Sequence, residues 1–434
     1  MKRFLVVLSA LGLIAVFSTT VFAADIKISG EFYAAGMYAN GTSLQKATGP
    51  STAFYYQRLR VQTGFVVSPG LTLITRFDAM ERAWGAARTA AGTALALDSA
   101  GTVAEKENFV IDWAYVNYKA PIGTFDVGYM NYGSTGTIFA NNSAPQGRIK
   151  YSLPAGPVTI NTAISKVKEK SNTAKVASAN ADADSDVYHL EGVYAWKTGR
   201  AGLNVNYYRN AENRPANNYG LQYYLFTPYA IAKIGPVALQ TEINYAVGQL
   251  KSYDNNATNV DLQNWSGWLD ATADLKMAYI GATIAYVSGD DPTTGKQEGG
   301  TINGGRDWNP CLIMFNYYDR GQWYGNLTGY DGAIDNGVMS NAWFFQGRAG
   351  VKPIDKLNVL ASVSYAFADY KPAQYLNKDY GWEVDLTGTY KITNNLSYML
   401  GVGYFNTGGY YKGKSDANNV DNNYLVLNKL TLTF

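Results

Sequence analysis

The strongest constraint on this chain is an alternation of apolar and polar residues with a period of two. Between positions 357 and 367 the odd residues are apolar or aromatic, and most of the even ones are small or polar. Segments 237–247 and 382–387 repeat the pattern. Successive side chains of a strand point to opposite faces, so each segment predicts a β-strand with one apolar and one wet face.

Composition narrows the class of protein further. Aromatic residues make up 14% of the 434 residues and charged residues only 16%, which is unusual for a soluble enzyme. No run of about eighteen apolar residues follows the first two dozen positions, so ordinary transmembrane helices are not expected. One His and one Cys exclude an HExxH zinc site and a CxxC or CxxCH haem motif. We therefore expect no cofactor and no metal.

The N-terminus has the pattern of a secretory signal peptide. A short basic segment containing Lys2 and Arg3 precedes a mostly apolar stretch, and Val21-Phe22-Ala23 matches a cleavage site. The sequence predicts a signal peptide over 1–23 and a single domain over 24–434. Removal of the peptide takes the formal net charge from +2 to zero, so nucleic acid is not an expected partner.

The connections between predicted strands alternate between short and long. Eight short turns, such as those at 68–70, 121–123 and 234–236, alternate with nine longer polar connections, which include 86–106, 132–146 and 290–340. This spacing predicts eighteen strands of a length that crosses a bilayer at a tilt. The turn at 276–278 is the weakest, and without it the count would be sixteen.

Three features favour a membrane barrel over a soluble sandwich. Short turns and long loops alternate regularly along the whole chain, aromatic residues crowd the strand ends, as at 54–56 and 343–345, and the last strand ends on Phe434. We expect an all-β fold, a transmembrane antiparallel β-barrel with short periplasmic turns and long extracellular loops. A barrel of this size is expected to enclose an aqueous channel rather than a packed core.

Several stretches resemble the general diffusion porins of the Gram-negative outer membrane. They are 56–65, 113–133 and 147–151, together with the C-terminal strand ending in Phe434. The resemblance implies an outer-membrane homotrimer in contact with lipid and lipopolysaccharide, with Phe434 as a signal for the barrel-assembly machinery. It also implies that loop 134–146 folds into the lumen and that Arg58 and Arg148 line a constriction. Tyr129 departs from the family, which often has Arg at that position, and eighteen strands exceed the family's sixteen.

The wet faces of the strands carry the candidate functional residues. Taking the apolar parity as lipid-facing, the lumen is expected to have a basic wall and an opposite acidic wall, which together create a transverse field. The predicted basic wall is Arg58, Arg60, Arg76, Arg82, Arg148 and Lys150. The predicted acidic lining is Asp126, Glu191, Glu242, Asp270, Asp274, Glu383 and Asp385. The alternative is that these charges are solvated lumen residues without a special role.

These features predict a porin rather than an enzyme. The first hypothesis is a water-filled channel for passive diffusion of small hydrophilic solutes and ions. The alternative is a channel selective for a sugar, an amino acid or an organic acid, which the long loop 290–340 favours. That loop either covers the mouth or enters the lumen, and Cys311 on it is an incidental thiol or an intermolecular bridge. His189 could serve a hydrolase, but no motif marks a partner Ser.

Overall fold

The computed structural model describes residues 25–85, 109–142, 144–170, 183–255, 257–300 and 305–434. The predicted signal peptide 1–23 and the predicted loop 86–106 lie outside these residues. Within the described part of the chain, no helix has both the length and the hydropathy needed to cross a bilayer.

Eighteen long antiparallel strands form one closed barrel. Each strand pairs with the next along the chain, and the last pairs back with the first over Glu31↔Thr433 to Ala39↔Leu425. The strands are β1 Asp25–Ala39, β2 Thr52–Ser68, β3 Leu71–Ala83, β4 Phe109–Ala120, β5 Gly123–Asn131, β6 Pro145–Ala155, β7 Val158–Lys168, β8 Ser185–Trp196, β9 Gly199–Asn210, β10 Tyr219–Ile234, β11 Val237–Tyr253, β12 Val260–Asp274, β13 Ala278–Val287, β14 Ala342–Ile354, β15 Leu357–Ala368, β16 Asp379–Lys391, β17 Leu396–Thr407 and β18 Asn423–Thr433. The predicted fold class and the eighteen strands are confirmed, and the sixteen-strand alternative is wrong.

Short regular segments lie between the strands. They are an α-helical turn at Arg214–Asn217, a π-helical turn at Tyr317–Gly321, a 3-10 turn at Gly409–Lys412, and two-residue strands at Lys296–Gln297, Leu327–Thr328 and Ile334–Asp335. Lys296–Gln297 pairs with the outer end of β12 and extends the wall above β13. Leu327–Thr328 and Ile334–Asp335 pair with each other in a small sheet of their own, and Thr328 also forms an isolated parallel bridge with Ser43.

The turn at 276–278, which has the weakest sequence signal, does form a hairpin between β12 and β13. Leu275 donates its N–H to the carbonyl oxygen of Ala278 at 2.8 Å, and Lys276 donates to Asp274 Oδ1 at 2.9 Å. Lys276 adopts a φ of 75°, a conformation usually taken by Gly or Asn. The turn signal is weak because a carboxylate, rather than a glycine, stabilises this conformation.

The outer surface of the barrel is apolar along every second residue. Ile149 and Val363 are 58% and 56% exposed on this face. A closed barrel satisfies its backbone hydrogen bonds internally, so this outer face can lie against hydrocarbon. The aromatic clusters at the strand ends divide between the two faces: Tyr55 and Tyr404 are exposed, whereas the adjacent Tyr56 and Phe405 are fully buried inside. Only half of each cluster therefore contributes to an interfacial girdle.

Phe434 completes the seam between the first and last strands. Gly30 N–H donates to the carbonyl oxygen of Phe434 at 2.8 Å, and Phe434 N–H donates back at 3.1 Å. A Cβ on Gly30 would lie 2.5 Å from the carbonyl oxygen of Arg60 and 2.7 Å from Cζ of Phe434. The Phe434 ring can shift but the backbone carbonyl of Arg60 cannot, so it is this carbonyl that requires glycine at position 30.

The interior is not the purely aqueous channel expected from barrel size. The described residues of the connection 288–341 between β13 and β14, which are 288–300 and 305–341, enter the lumen, and their apolar side chains pack on inward residues of the wall. Buried members of this internal core are Trp308, Cys311, Ile313, Met314, Phe315, Leu327 and Met339 from the connection, with Tyr56, Phe344, Phe405 and Leu427 from the wall. The packed core follows from the length of this connection, because a plain short loop could not fill the lumen.

Candidate functional site

The loop between β5 and β6 folds into the lumen and contacts the inner wall at β9, β11 and β12. Thr137 near its tip donates to Glu242 Oε2 from its backbone N–H at 2.6 Å and from its hydroxyl at 2.8 Å. Trp268 Nε1 donates to the same hydroxyl at 2.8 Å, and Asn204 donates to Thr135 at 3.0 Å. Strands β9, β11 and β12 thus hold a loop that begins on β5, which narrows the lumen.

The connection 288–341 is held inside the barrel by a second buried carboxylate. Glu383 on β16 accepts the backbone N–H groups of Ile313 at 2.7 Å and Met314 at 2.6 Å, and neighbouring Asp385 accepts that of Leu312 at 3.3 Å. On nearby strands of the same wall, Asp319 accepts from Tyr56 Oη on β2 and from Lys429 Nζ on β18, both at 2.9 Å. The connection is therefore tied to three strands of the wall, β16, β18 and β2.

An internal ion pair gives this connection its own shape. Arg320, which is 1% exposed, donates to Asp335 Oδ1 at 2.9 Å and to the carbonyl oxygens of Ile313 at 2.6 Å and Gly325 at 2.8 Å. Asp335 Oδ2 in turn accepts from Phe315 N–H at 3.1 Å. A buried pair with its hydrogen bonds satisfied fixes one geometry for the segment.

Cys311 lies within this packed region. Its side chain is buried, with Sγ 3.3 Å from Ser364 Oγ, so the intermolecular bridge considered from the sequence is wrong. Burial raises the pKa of the Cys311 thiol well above its usual range, and the carboxylates of Glu383 and Asp385 raise it further. The thiol therefore stays protonated and unreactive.

The two inserted segments contact each other inside the barrel. Phe139 of the β5–β6 loop packs edge-on against Trp308 at 5.2 Å between ring centroids and stacks on Trp268 at 5.7 Å. Asp307 N–H donates to the carbonyl oxygen of Asn141 at 3.1 Å. Together these segments restrict the lumen from two sides.

Three of the expected cations are already paired with carboxylates on their own wall. The pairs are Arg58 with Glu31 and Glu81 at 3.8 Å, Arg60 with Asp78 at 2.6 Å, and Arg76 Nε with Asp112 at 3.1 Å. Arg76 also lies over the ring of Trp113 at 3.7 Å. The expected division into one basic and one acidic wall is wrong for this part of the barrel, because acidic residues share the inward face with the arginines.

Arg82 was expected in the basic wall, but the structure places it on the outer face. It lies opposite Gln57, whose side chain is on the outer surface and accepts from Trp84 Nε1. The strand register shifts between Leu59 and Gln57, where Met80 adopts a φ of 53°. A bulge reverses the facing of the residues beyond it, so Glu81 takes the inward position.

Arg148 and Lys150 lie together in a small charged cavity. The cavity has a volume of about 240 Å³, and its lining includes Asp126, Glu191 and His189 as well as these two cations. Arg148 donates to the carbonyl oxygens of Asn131 at 3.3 Å and Tyr132 at 3.4 Å. Among the described residues, neither Arg148 nor Lys150 has a carboxylate within 4.0 Å. Among these residues, neither cation is therefore neutralised by a direct ion pair.

The carboxylates of this cavity are held by neutral donors. Asp126 accepts from Asn117 at 2.6 Å, and Glu191 accepts from Asn161 at 2.8 Å and from Tyr229 at 2.9 Å. His189 bonds Asn206 through Nδ1 at 2.8 Å rather than a serine. Since none of these partners cancels the charges, the cavity presents both signs of charge to the passage.

The remaining predicted acids have structural partners. Glu242, Glu383 and Asp385 hold the inserted segments, and Asp274 stabilises the β12–β13 turn. Asp270 forms an ion pair at 2.8 Å with Arg348 on β14. The alternation along β14 places Arg348 on the inward face, so the sequence could have indicated it as a lumen residue. Arg320 and Asp319 lie in a segment without periodicity, so no sequence pattern indicates them.

Comparisons with known proteins support the class of fold. No protein-family profile matches the chain, and no curated protein sequence matches it. Among solved structures, OccK8 (OprE) of Pseudomonas aeruginosa has a TM-score of 0.52 and 13% identity over 94% of this chain and 98% of that chain. OpdK of Pseudomonas aeruginosa, in a structure with vanillate, gives 0.51 and 12% over 94% and 99%. A variant of OccD1 (OprD) gives 0.51 and 12% over 96% and 98%.

The barrel therefore has the fold of Gram-negative outer-membrane porins. These similar structures are outer-membrane channels, and the identities are low enough that the likeness concerns the fold alone. What passes through this chain must be argued from its own lumen.

Proposed function

We propose that the protein is an outer-membrane channel for passive diffusion of small hydrophilic solutes and ions. The carrying observation is the cavity in which Arg148 and Lys150 face Asp126 and Glu191 beside the β5–β6 loop. Charges of both signs in a narrow passage attract polar solutes and so offset the hydration that these solutes lose on entering. Apolar solutes gain no such attraction. No catalytic role is proposed for any residue.

A substrate-selective channel is the second candidate. It is favoured by the insertion of two segments into the lumen, where Phe139 of one contacts Trp308 of the other. A narrow passage brings each solute into contact with the wall, so weak binding sites can discriminate among solutes. We further propose that the protein forms a homotrimer in contact with outer-membrane lipid and lipopolysaccharide. The barrel-assembly machinery would recognise Phe434 as the assembly signal.

Planar-bilayer recording tests the channel. The purified protein is expected to give stable, ohmic conductance steps, and a bilayer without steps would refute the proposal. Replacing Arg148 and Lys150 by Ala should move the reversal potential in a salt gradient towards cation preference, whereas Asp126→Asn with Glu191→Gln should move it the other way. Arg82→Ala is the matched control, since Arg82 lies on the outer face. Equal reversal potentials in all variants would show that ions do not pass the charged cavity.

A further inference from the structure

A second cavity lies in the lumen wall, above the charged one and nearer the outer mouth. It has a volume of about 300 Å³ and lies between β10–β12 and the segment 297–300. Its apolar side consists of Leu221, Tyr223, Leu225, Ala246, Leu250 and Leu262, and its polar side of Asn244, Asn264, Ser266 and Gln297. None of the described residues that line it is charged.

The apolar side is a continuous patch on the inner face of the barrel. Leu225, Ala246 and Leu262 pack together as a buried cluster, and Tyr223 next to them stacks on Tyr208 at 4.5 Å. This cluster is separate from the core that the connection 288–341 forms with the opposite wall. Leu221, Tyr223 and Leu250 beside this cluster are only partly buried, so a solute with an apolar face gains by covering their exposed apolar surface.

The polar side supplies hydrogen-bonding groups that the protein does not use. In the described part of the chain, the side chains of Asn264, Ser266 and Gln297 have no hydrogen-bond partner, although Ser266 is buried. Asn244 differs from them, because it accepts from Thr227 and donates to Glu242. Two amides and a hydroxyl offer donors and acceptors in one place, but no charge.

The cavity opens towards the outer mouth. Gln297, Gly299 and Gly300 also line a larger cavity of about 670 Å³ at the mouth, which includes Tyr370 and Asn341. A Cβ on Gly300 would lie 3.0 Å from Cγ of Asn264, so a side chain at this position would crowd the polar side. A solute that enters from outside therefore reaches this cavity before the charged one.

On the basis of the proposed channel function, we propose that this cavity binds a neutral, hydroxylated ring such as a pyranose unit. One face of such a ring is apolar and would lie on Tyr223 and the leucines, while its hydroxyls would bond Asn264, Ser266 and Gln297. The volume is at the lower end of ligand pockets, about 300–1,000 Å³, and suits a single ring. Because no described residue that lines the cavity is charged, the cavity selects a neutral solute over an ion.

The test measures current block by methyl α-glucoside in a planar bilayer, with sorbitol as the open-chain control. The glucoside is expected to reduce the current in a saturable manner, and sorbitol is not. Asn264→Ala and Ser266→Ala on the polar side, and Leu250→Ala on the apolar side, should each weaken the block about 3- to 10-fold, the effect of one lost hydrogen bond or contact. Gln222→Ala is the matched control, since Gln222 is exposed and bonds Gln249 on the outer face.

The outcomes separate this inference from the channel proposal. Ohmic steps without saturable glucoside block would overturn the sugar site and leave the channel standing, whereas no steps at all would overturn both. Block of equal strength by sorbitol, or undiminished block in all three variants, would also overturn the site. The comparison of the two solutes on the unmodified protein holds even where a variant fails to fold.

Discussion

The Glu242 carboxylate is the main anchor of the β5–β6 loop, so its removal should release the loop tip. The carboxylate is 1% exposed and accepts both the N–H and the hydroxyl of Thr137. Hydrogen bonds to a charged group contribute about 1.5–3 kcal/mol each, so Glu242→Ala should cost about 3–6 kcal/mol of loop attachment. At about 1.4 kcal/mol per tenfold, the ratio of inserted to released loop falls about 10²- to 10⁴-fold.

Single-channel recording measures this release. Glu242→Ala should give a larger mean conductance with added current noise, because the loop leaves the lumen intermittently. Gly136→Ala provides an independent route to the same result: its φ is 74°, and a Cβ there would lie 2.5 Å from Glu242 Oε2. Asp274→Asn serves as the control for loss of a charge away from the loop. If folded Glu242→Ala and Gly136→Ala proteins both keep the unmodified conductance and noise, the anchoring argument is refuted.

The other structural interpretations make three further predictions. Glu383→Ala leaves the N–H groups of Ile313 and Met314 without their acceptor, so limited proteolysis should cut the connection 288–341 faster, and equal cutting rates would contradict this. Because burial raises the pKa of Cys311, a maleimide at pH 8 should label the thiol only after unfolding, and rapid labelling of the folded barrel would show that the connection is not packed. Gly30→Val should destabilise the barrel by about 1–3 kcal/mol, so its heat-induced mobility change on electrophoresis should occur at a lower temperature. Gly192→Ala should leave that temperature unchanged, because a Cβ there meets nothing within 4 Å.

The wall of the barrel was predictable from the sequence because its signals are local. Alternation and turn residues determine which side chains face outwards, and this parity holds for Arg58, Arg148 and Glu242. It fails at Arg82, since the bulge at Met80 has no residue signature in the sequence. Parity also does not give partners, so it does not indicate that Arg60 pairs with Asp78 on the neighbouring strand.

The contents of the lumen could not be predicted in the same way. The position of the connection 288–341 depends on contacts with residues distant along the chain, such as those of Asp319 with Tyr56 and Lys429. No periodic pattern within the connection carries this information. Glu383 illustrates the result, because an acid expected to line water instead lies buried beneath the connection.

Glu383 holds the connection 288–341 through the main-chain amides of Ile313 and Met314, a group that every residue except proline possesses. Glu242 differs, because it also accepts the side-chain hydroxyl of Thr137. Substitution of Ile313 or Met314 by another residue with an N–H would therefore alter the packing of the internal core but leave in place the hydrogen bonds that attach the connection to β16.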